Sequence, residues 1–114
     1  HNLSVVRYLA DTVAIMYLGK IVEKAPVEDL FSNPRHPYTL SLINSVPDPR
    51  ERKSFEPLTG DVPSPLNPPP ACHFRPRCPI YLNEEPGSFL AKKCETQYPE
   101  ISADKNGFVR CHAK

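Results

Sequence analysis

The chain has 114 residues and a mass of 12.8 kDa, enough for one small domain and too little for two. Its 14 Lys and Arg against 13 Asp and Glu leave a net charge of +1, without the basic excess a nucleic-acid binder uses to neutralise phosphates. The longest apolar stretch, Val13 to Leu18, is far below the roughly 18–20 residues of a membrane span, and neither a start methionine nor a signal-peptide pattern is present.

Leu3, Val6 and Ala10 recur at helical spacing, with Asn2 or Ser4 available as N-cap, and predict two turns of amphipathic helix ending at Asp11. Thr12 to Leu18 is a continuous β-prone run, the pattern of a strand buried on both faces, with Met16 and Tyr17 as core residues. Gly19-Lys20 turns the chain into Ile21–Lys24, a second and more exposed strand. Pro26 suits the first turn of a short helix through Phe31, which Asn33-Pro34 breaks. Pro37 opens a further helix, with Tyr38, Leu42 and Val46 on one face, Ile43 beside them and Pro47 at its end.

Proline is the one extreme of composition: 15 residues, eight of them between Pro57 and Pro79. Proline lacks the N–H and fixes φ, so this window predicts an extended connector. A spacer explains it better than a ligand for a PxxP-binding groove. The apolar first strand wants neighbours on both sides, and this sequence supplies one at most. So short a piece buries too little surface to stand alone, which predicts the back end of something larger, or an isolated fragment that oligomerises or swaps.

Cys72, Cys78, Cys94 and Cys111 all fall in the tail, spaced C-x5-C-x15-C-x16-C. The segment has little apolar material, and small domains of this kind are usually stapled. Three readings stay open: a four-thiolate metal site holding an iron–sulfur cluster or Zn²⁺, two disulfides, or free thiols. Cys78-Pro79 resembles the end of ferredoxin cluster motifs, and Arg75, Arg77, Lys92 and Lys93 stand ready to offset thiolate charge. His73 and His112 are substitute ligands on paper, with solvated side chains the simpler reading. Lys92-Lys93 and Arg50–Lys53 read as solvated loop charge, Ser4 as a cap, Ser41 as helix face, and Glu84-Glu85 as a turn.

The string from His1 to Glu23 closely resembles the stretch after the last catalytic motif of ABC-transporter ATPases. Pro34-Arg35-His36-Pro37-Tyr38-Thr39, Gly60-Asp61-Val62-Pro63-Ser64-Pro65 and Cys72-His73-Phe74-Arg75-Pro76-Arg77-Cys78-Pro79 resemble the subfamily that imports oligopeptides and dipeptides. The resemblance implies an α+β fragment: residues 1–25 as the end of a RecA-like ATPase core, 26–47 as helices on it, 48–71 as connector, and 72–114 as a cysteine-bearing module. It implies His1 as the switch histidine at the γ-phosphate of ATP, with Mg²⁺ in the parent chain, and Asn2 departs from the family's Asp. It implies a peripheral place on the cytoplasmic face of the membrane, against permease subunits and a second ATPase subunit, with a peptide-binding protein as an indirect partner. That compartment disfavours disulfides, and the resemblance implies a [4Fe–4S] cluster, alternatively Zn²⁺, on Cys72, Cys78, Cys94 and Cys111. The 114 residues contain no G-x-x-x-x-G-K-[ST] loop, so this stretch is not expected to hydrolyse ATP by itself. The rival reading is a freestanding four-cysteine metal-binding interaction module with no link to an ATPase.

Overall fold

The computed structural model describes residues 3–45, 66–103 and 107–114. His1, Asn2, Val46 and most of the proline connector, including the Gly60–Pro65 motif, lie outside the described residues. Helix α1 (Leu3–Leu9) leads into β1 (Thr12–Tyr17) and β2 (Lys20–Pro26), then α2 (Val27–Ser32) and α3 (Pro37–Asn44). In the tail a single 3-10 turn (Arg75–Arg77) precedes α4 (Pro79–Asn83), α5 (Phe89–Thr96), β3 (Ser102–Ala103) and β4 (Phe108–Val109). The helix–hairpin–helix–helix order is the one that the apolar spacing and the prolines predict.

The β1–β2 hairpin closes through Leu18 (φ 48°) and Gly19 (φ 78°), with Tyr17 opposite Lys20. Two consecutive positive φ values match the twist of a two-residue hairpin. Gly19 takes that conformation freely, whereas Leu18 carries the local strain.

Two strand expectations need correction. β1 alternates: Val13, Ile15 and Tyr17 are buried while Thr12, Ala14 and Met16 face outward, Met16 at 60 % exposure. It is the edge of an antiparallel sheet of order β1-β2-β4-β3, so one face packs and the other does not, and Met16 is no core residue. β2, expected to be the more exposed strand, is interior instead. The last residues of the chain return beside it, pairing Glu23 with Val109 and Lys24 with Phe108. A bulge also shifts the register, since Ile15 faces Glu23 but Met16 faces Ile21. The extra residue lets successive side chains, Val22 and Glu23, both turn inward.

The core gathers Val13, Ile15, Tyr17, Val22, Ala25 and Leu30 with Phe74 and Cys78 from the tail. Phe74 meets Tyr17 edge-on at 5.1 Å between ring centroids and tilts against Tyr38 at 5.4 Å. The tail thus adds an aromatic anchor to the core of the front half and two short strands to its sheet.

Candidate functional site: a thiol cavity and its polar latch

The site begins at Glu23, which the bulge turns into the core at 1 % exposure. A buried carboxylate is tolerable only when its oxygens are bonded. Here the backbone N–H groups of Arg35 and His36 donate to it, Arg35 at 3.0 and 3.2 Å and His36 at 2.9 Å. The Arg35 Nε lies 3.8 Å away. β2 therefore holds the start of α3 through one side chain.

His36 occupies the N-cap position of α3, where its Nδ1 accepts from the Tyr38 N–H at 3.0 Å and Pro37 fills N1. With Nδ1 accepting, Nε2 is the protonated nitrogen of the neutral ring. Burial drives the imidazole pKa down to about 4, against a smaller opposing pull from the Arg110 backbone. The unfolded chain, with a value near 6.5, takes up the proton first as pH falls. Stability from this group is complete above the unfolded value and is lost as pH drops from there toward about 4. The wild-type chain should lose about 3 kcal/mol more than His36→Gln across that window. Urea unfolding at stepped pH checks this, and parallel curves for the two proteins contradict it.

Next to this latch, Cys72, Cys78, Cys94 and Cys111 line one cavity together with His36, Arg75 and Tyr81. All four are free thiols, with Cys78 and Cys94 buried and the other two half-buried. The Cys72 N–H donates to the Cys94 carbonyl at 3.2 Å, tying the two segments together. Burial pushes every one of the four thiols upward. Cys94 reaches about 11 through burial first and then the nearness of Cys72, Cys111 and Cys78. Backbone groups oppose the trend at three sulfurs: Phe74 and Arg75 at Cys72, Tyr81 and Ile80 at Cys78, and Ala113 at Cys111. Backbone N–H donors aimed at sulfur favour the thiolate. Among the described residues, however, no three His, Cys, Asp or Glu side chains are arranged to hold a metal ion as they stand.

Of the cations expected to offset thiolate charge, Arg75 alone does so: it lines the cavity and lowers Cys72 and Cys94. Arg77 is buried and reaches Tyr17 Oη at 3.5 Å instead, Lys92 is exposed, and Lys93 lies over the Phe89 ring at 4.8 Å. His73 and His112 are half-buried and engaged rather than solvated. His73 packs on Tyr98 at 4.9 Å, and His112 Nε2 meets the Gln97 carbonyl at 2.7 Å. Ser41 Oγ bonds the Pro37 carbonyl along its own helix, as a helix-face residue does. The residues missed by sequence reasoning are Glu23 and Gly107. The signal for Glu23 was slight: a carboxylate directly after Val22, where strict alternation would place it outside.

The site thus combines a hairpin locked to an Arg-His-Pro-Tyr segment with a four-cysteine tail. The family model for the oligopeptide/dipeptide transporter C-terminal region matches residues 22–84, more than half of the chain, and the chain belongs to that family. It is 51% identical over 109 residues to the dipeptide transport ATP-binding protein DppF of Haemophilus influenzae, covering 94% of this chain and 31% of that protein. It is 44% identical over 118 residues to the oligopeptide transport ATP-binding protein AppF of Bacillus subtilis, covering 98% of this chain and 33% of that protein. The chain spans about a third of the length of the curated relatives it matches. Family membership stands against the freestanding-module reading. Among the described residues no helix is long and apolar enough to cross a membrane.

Proposed function

We propose that this chain is the C-terminal portion of the ATP-hydrolysing subunit of an ABC importer of oligopeptides or dipeptides. The observation that carries the reading is the match over residues 22–84, which takes in both the Glu23–His36 latch and the first two cysteines. In the parent subunit ATP and Mg²⁺ are bound by motifs upstream of this region, and residues 1–25 complete the RecA-like core that carries them. The subunit lies on the cytoplasmic face of the membrane, drives permease subunits, pairs with a second ATPase subunit and serves a peptide-binding protein indirectly. His1 is the switch histidine: one ring nitrogen donates to the γ-phosphate while the protein holds the other. In the full-length subunit assembled with its permease, His1→Ala should lower ATP turnover about 100-fold while nucleotide still binds. A wild-type assembly whose turnover does not respond to peptide-loaded binding protein overturns the reading.

Cys72, Cys78, Cys94 and Cys111 form the metal site of this tail. The donor set suits a thiophilic centre in kind, because four thiols line one cavity, and metal binding would have to draw the sulfurs closer than they stand. An iron–sulfur cluster, or alternatively Zn²⁺, would supply a cross-link between tail segments that the small apolar core does not. The protein's own part is to gather the sulfurs, aim N–H groups at them and set Arg75 beside them. Anaerobically purified full-length subunit should be brown, with about four iron and four sulfide per chain. Each single Cys→Ser change should bleach it. Colourless protein without stoichiometric iron or zinc refutes the metal site.

A further inference from the structure

Two of the four cysteines belong to neighbouring helices: Cys78 is the N-cap of α4, and Cys94 lies within α5. Tyr81 Oη, from α4, donates to Glu95 Oε1 of α5 at 2.6 Å. Among the described residues this is the hydrogen bond that joins the two helices. Tyr81 stands three positions beyond Cys78, and Glu95 directly follows Cys94, so the bond spans the joint between the two cysteine-bearing segments. The same ring carries the Arg75 guanidinium, 5.7 Å from its centroid. The backbone of Arg75 sits between two cysteines: its N–H donates to the Cys72 carbonyl and its carbonyl accepts from the Cys78 N–H, each at 3.2 Å. Arg75 and Tyr81 are both half-buried and both line the cavity.

We propose that Tyr81 is the positioning residue of the thiol cavity: its hydroxyl, on Glu95, holds α5 and Cys94 against α4 and Cys78, and its ring keeps the Arg75 guanidinium at the cavity wall. A phenol suits both tasks. Its O–H makes a short, charge-assisted bond to a carboxylate, and its face attracts a cation. A guanidinium kept there offsets negative charge on sulfur, whether the thiols are bare or hold a metal. The proposal rests on reading the cavity as a functional thiol site, but the positioning itself requires no metal.

The two contacts of the ring can be separated by substitution. Tyr81→Phe deletes the hydroxyl and keeps the ring under Arg75, whereas Tyr81→Leu removes both. Glu95→Gln keeps an acceptor oxygen, and Glu95→Ala does not. The experiment uses full-length subunit, reduced and chelator-treated, with alkylation followed residue by residue in a mass spectrometer. With iodoacetamide, Tyr81→Phe and Glu95→Ala should each speed Cys78 and Cys94 about fivefold, the effect of losing one hydrogen bond, and leave Cys111 within about twofold. The double variant should be no faster than either single one, and Glu95→Gln should stay near the wild-type rate. Multiplying effects in the double variant, or a rise at Cys111 equal to that at Cys94, overturns the proposal. Iodoacetate is anionic and iodoacetamide neutral, so the ratio of their rates at Cys72 and Cys94 reads the local charge, and any opening of the wall cancels in it. That ratio should fall about threefold in Arg75→Gln and in Tyr81→Leu, and hold in Tyr81→Phe. An unchanged ratio in Arg75→Gln or Tyr81→Leu, or a lowered one in Tyr81→Phe, refutes the role of the ring. Failure of the wild-type subunit to take up iron or zinc counts against the metal reading alone, because alkylation is followed without metal.

Discussion

Glu23→Ala should destabilise this region by about 4 kcal/mol, the largest effect of any single change considered for the chain. Alanine removes the acceptor for the Arg35 and His36 N–H groups and leaves the His36 N–H buried without a partner. It also leaves the Arg35 guanidinium without its carboxylate neighbour. Both amides should lose hydrogen-exchange protection, and the urea transition of this region should move to lower denaturant. Glu23→Gln is the informative companion. It retains one acceptor oxygen and the same shape, so about half the loss is expected. If alanine at this position costs less than about 1 kcal/mol, the latch contributes little and α3 is held by packing alone.

Gly107→Ala should cost about 3 kcal/mol for a different reason. A Cβ at this position would stand 1.8 Å from the Lys24 carbonyl oxygen and 2.7 Å from its carbonyl carbon. Both atoms belong to the backbone of β2, so no flexible side chain can move aside. The expected consequence is displacement of β4 from β2, exposure of Val109, which is 1 % exposed in the folded chain, and loss of the Arg110-to-Val22 hydrogen bond. Circular dichroism with hydrogen exchange at Val22 to Lys24 reads the first effect, and faster Cys111 alkylation reads the second. Gly87→Ala serves as control. Its Cβ would meet nothing within 4 Å, and only the positive φ of 81° opposes it, at about 1 kcal/mol. Equal losses at the two glycines would mean that close strand approach is not the cause at Gly107.

Much of the front half was legible because local rules govern it. Apolar spacing marks α1, Gly19 marks the hairpin, and Pro26 and Pro37 mark the starts of α2 and α3. The burial of those elements was less legible. A run such as Thr12–Tyr17 is apolar enough for a strand covered on two faces, but whether the second face is covered depends on a layer that the run does not encode. β4 was invisible to pattern reasoning, since two residues, Phe108 and Val109, carry no periodicity. Its existence depends on Gly107 allowing the backbone to approach β2.

For the candidate site the division is similar. The four cysteines stood out as a group, because their number and spacing exceed what a loop-rich tail needs, and the cavity brings all four to one place. Glu23 did not stand out. A glutamate in an amphipathic strand normally points to water, and a one-residue bulge is what turns this one inward.

The sequence by itself determined the order of elements, the proline-rich separation of front and tail, and the identity of the thiols, because these depend on neighbours a few residues apart. Tertiary structure decided that the tail's Phe74 completes the front half's core, that β2 is interior, and that one buried carboxylate ties the start of α3 to the sheet. Those outcomes rest on pairings between residues more than ten and up to about ninety positions apart. Only the folded chain brings them within hydrogen-bonding distance, and only burial makes their polar bonds obligatory.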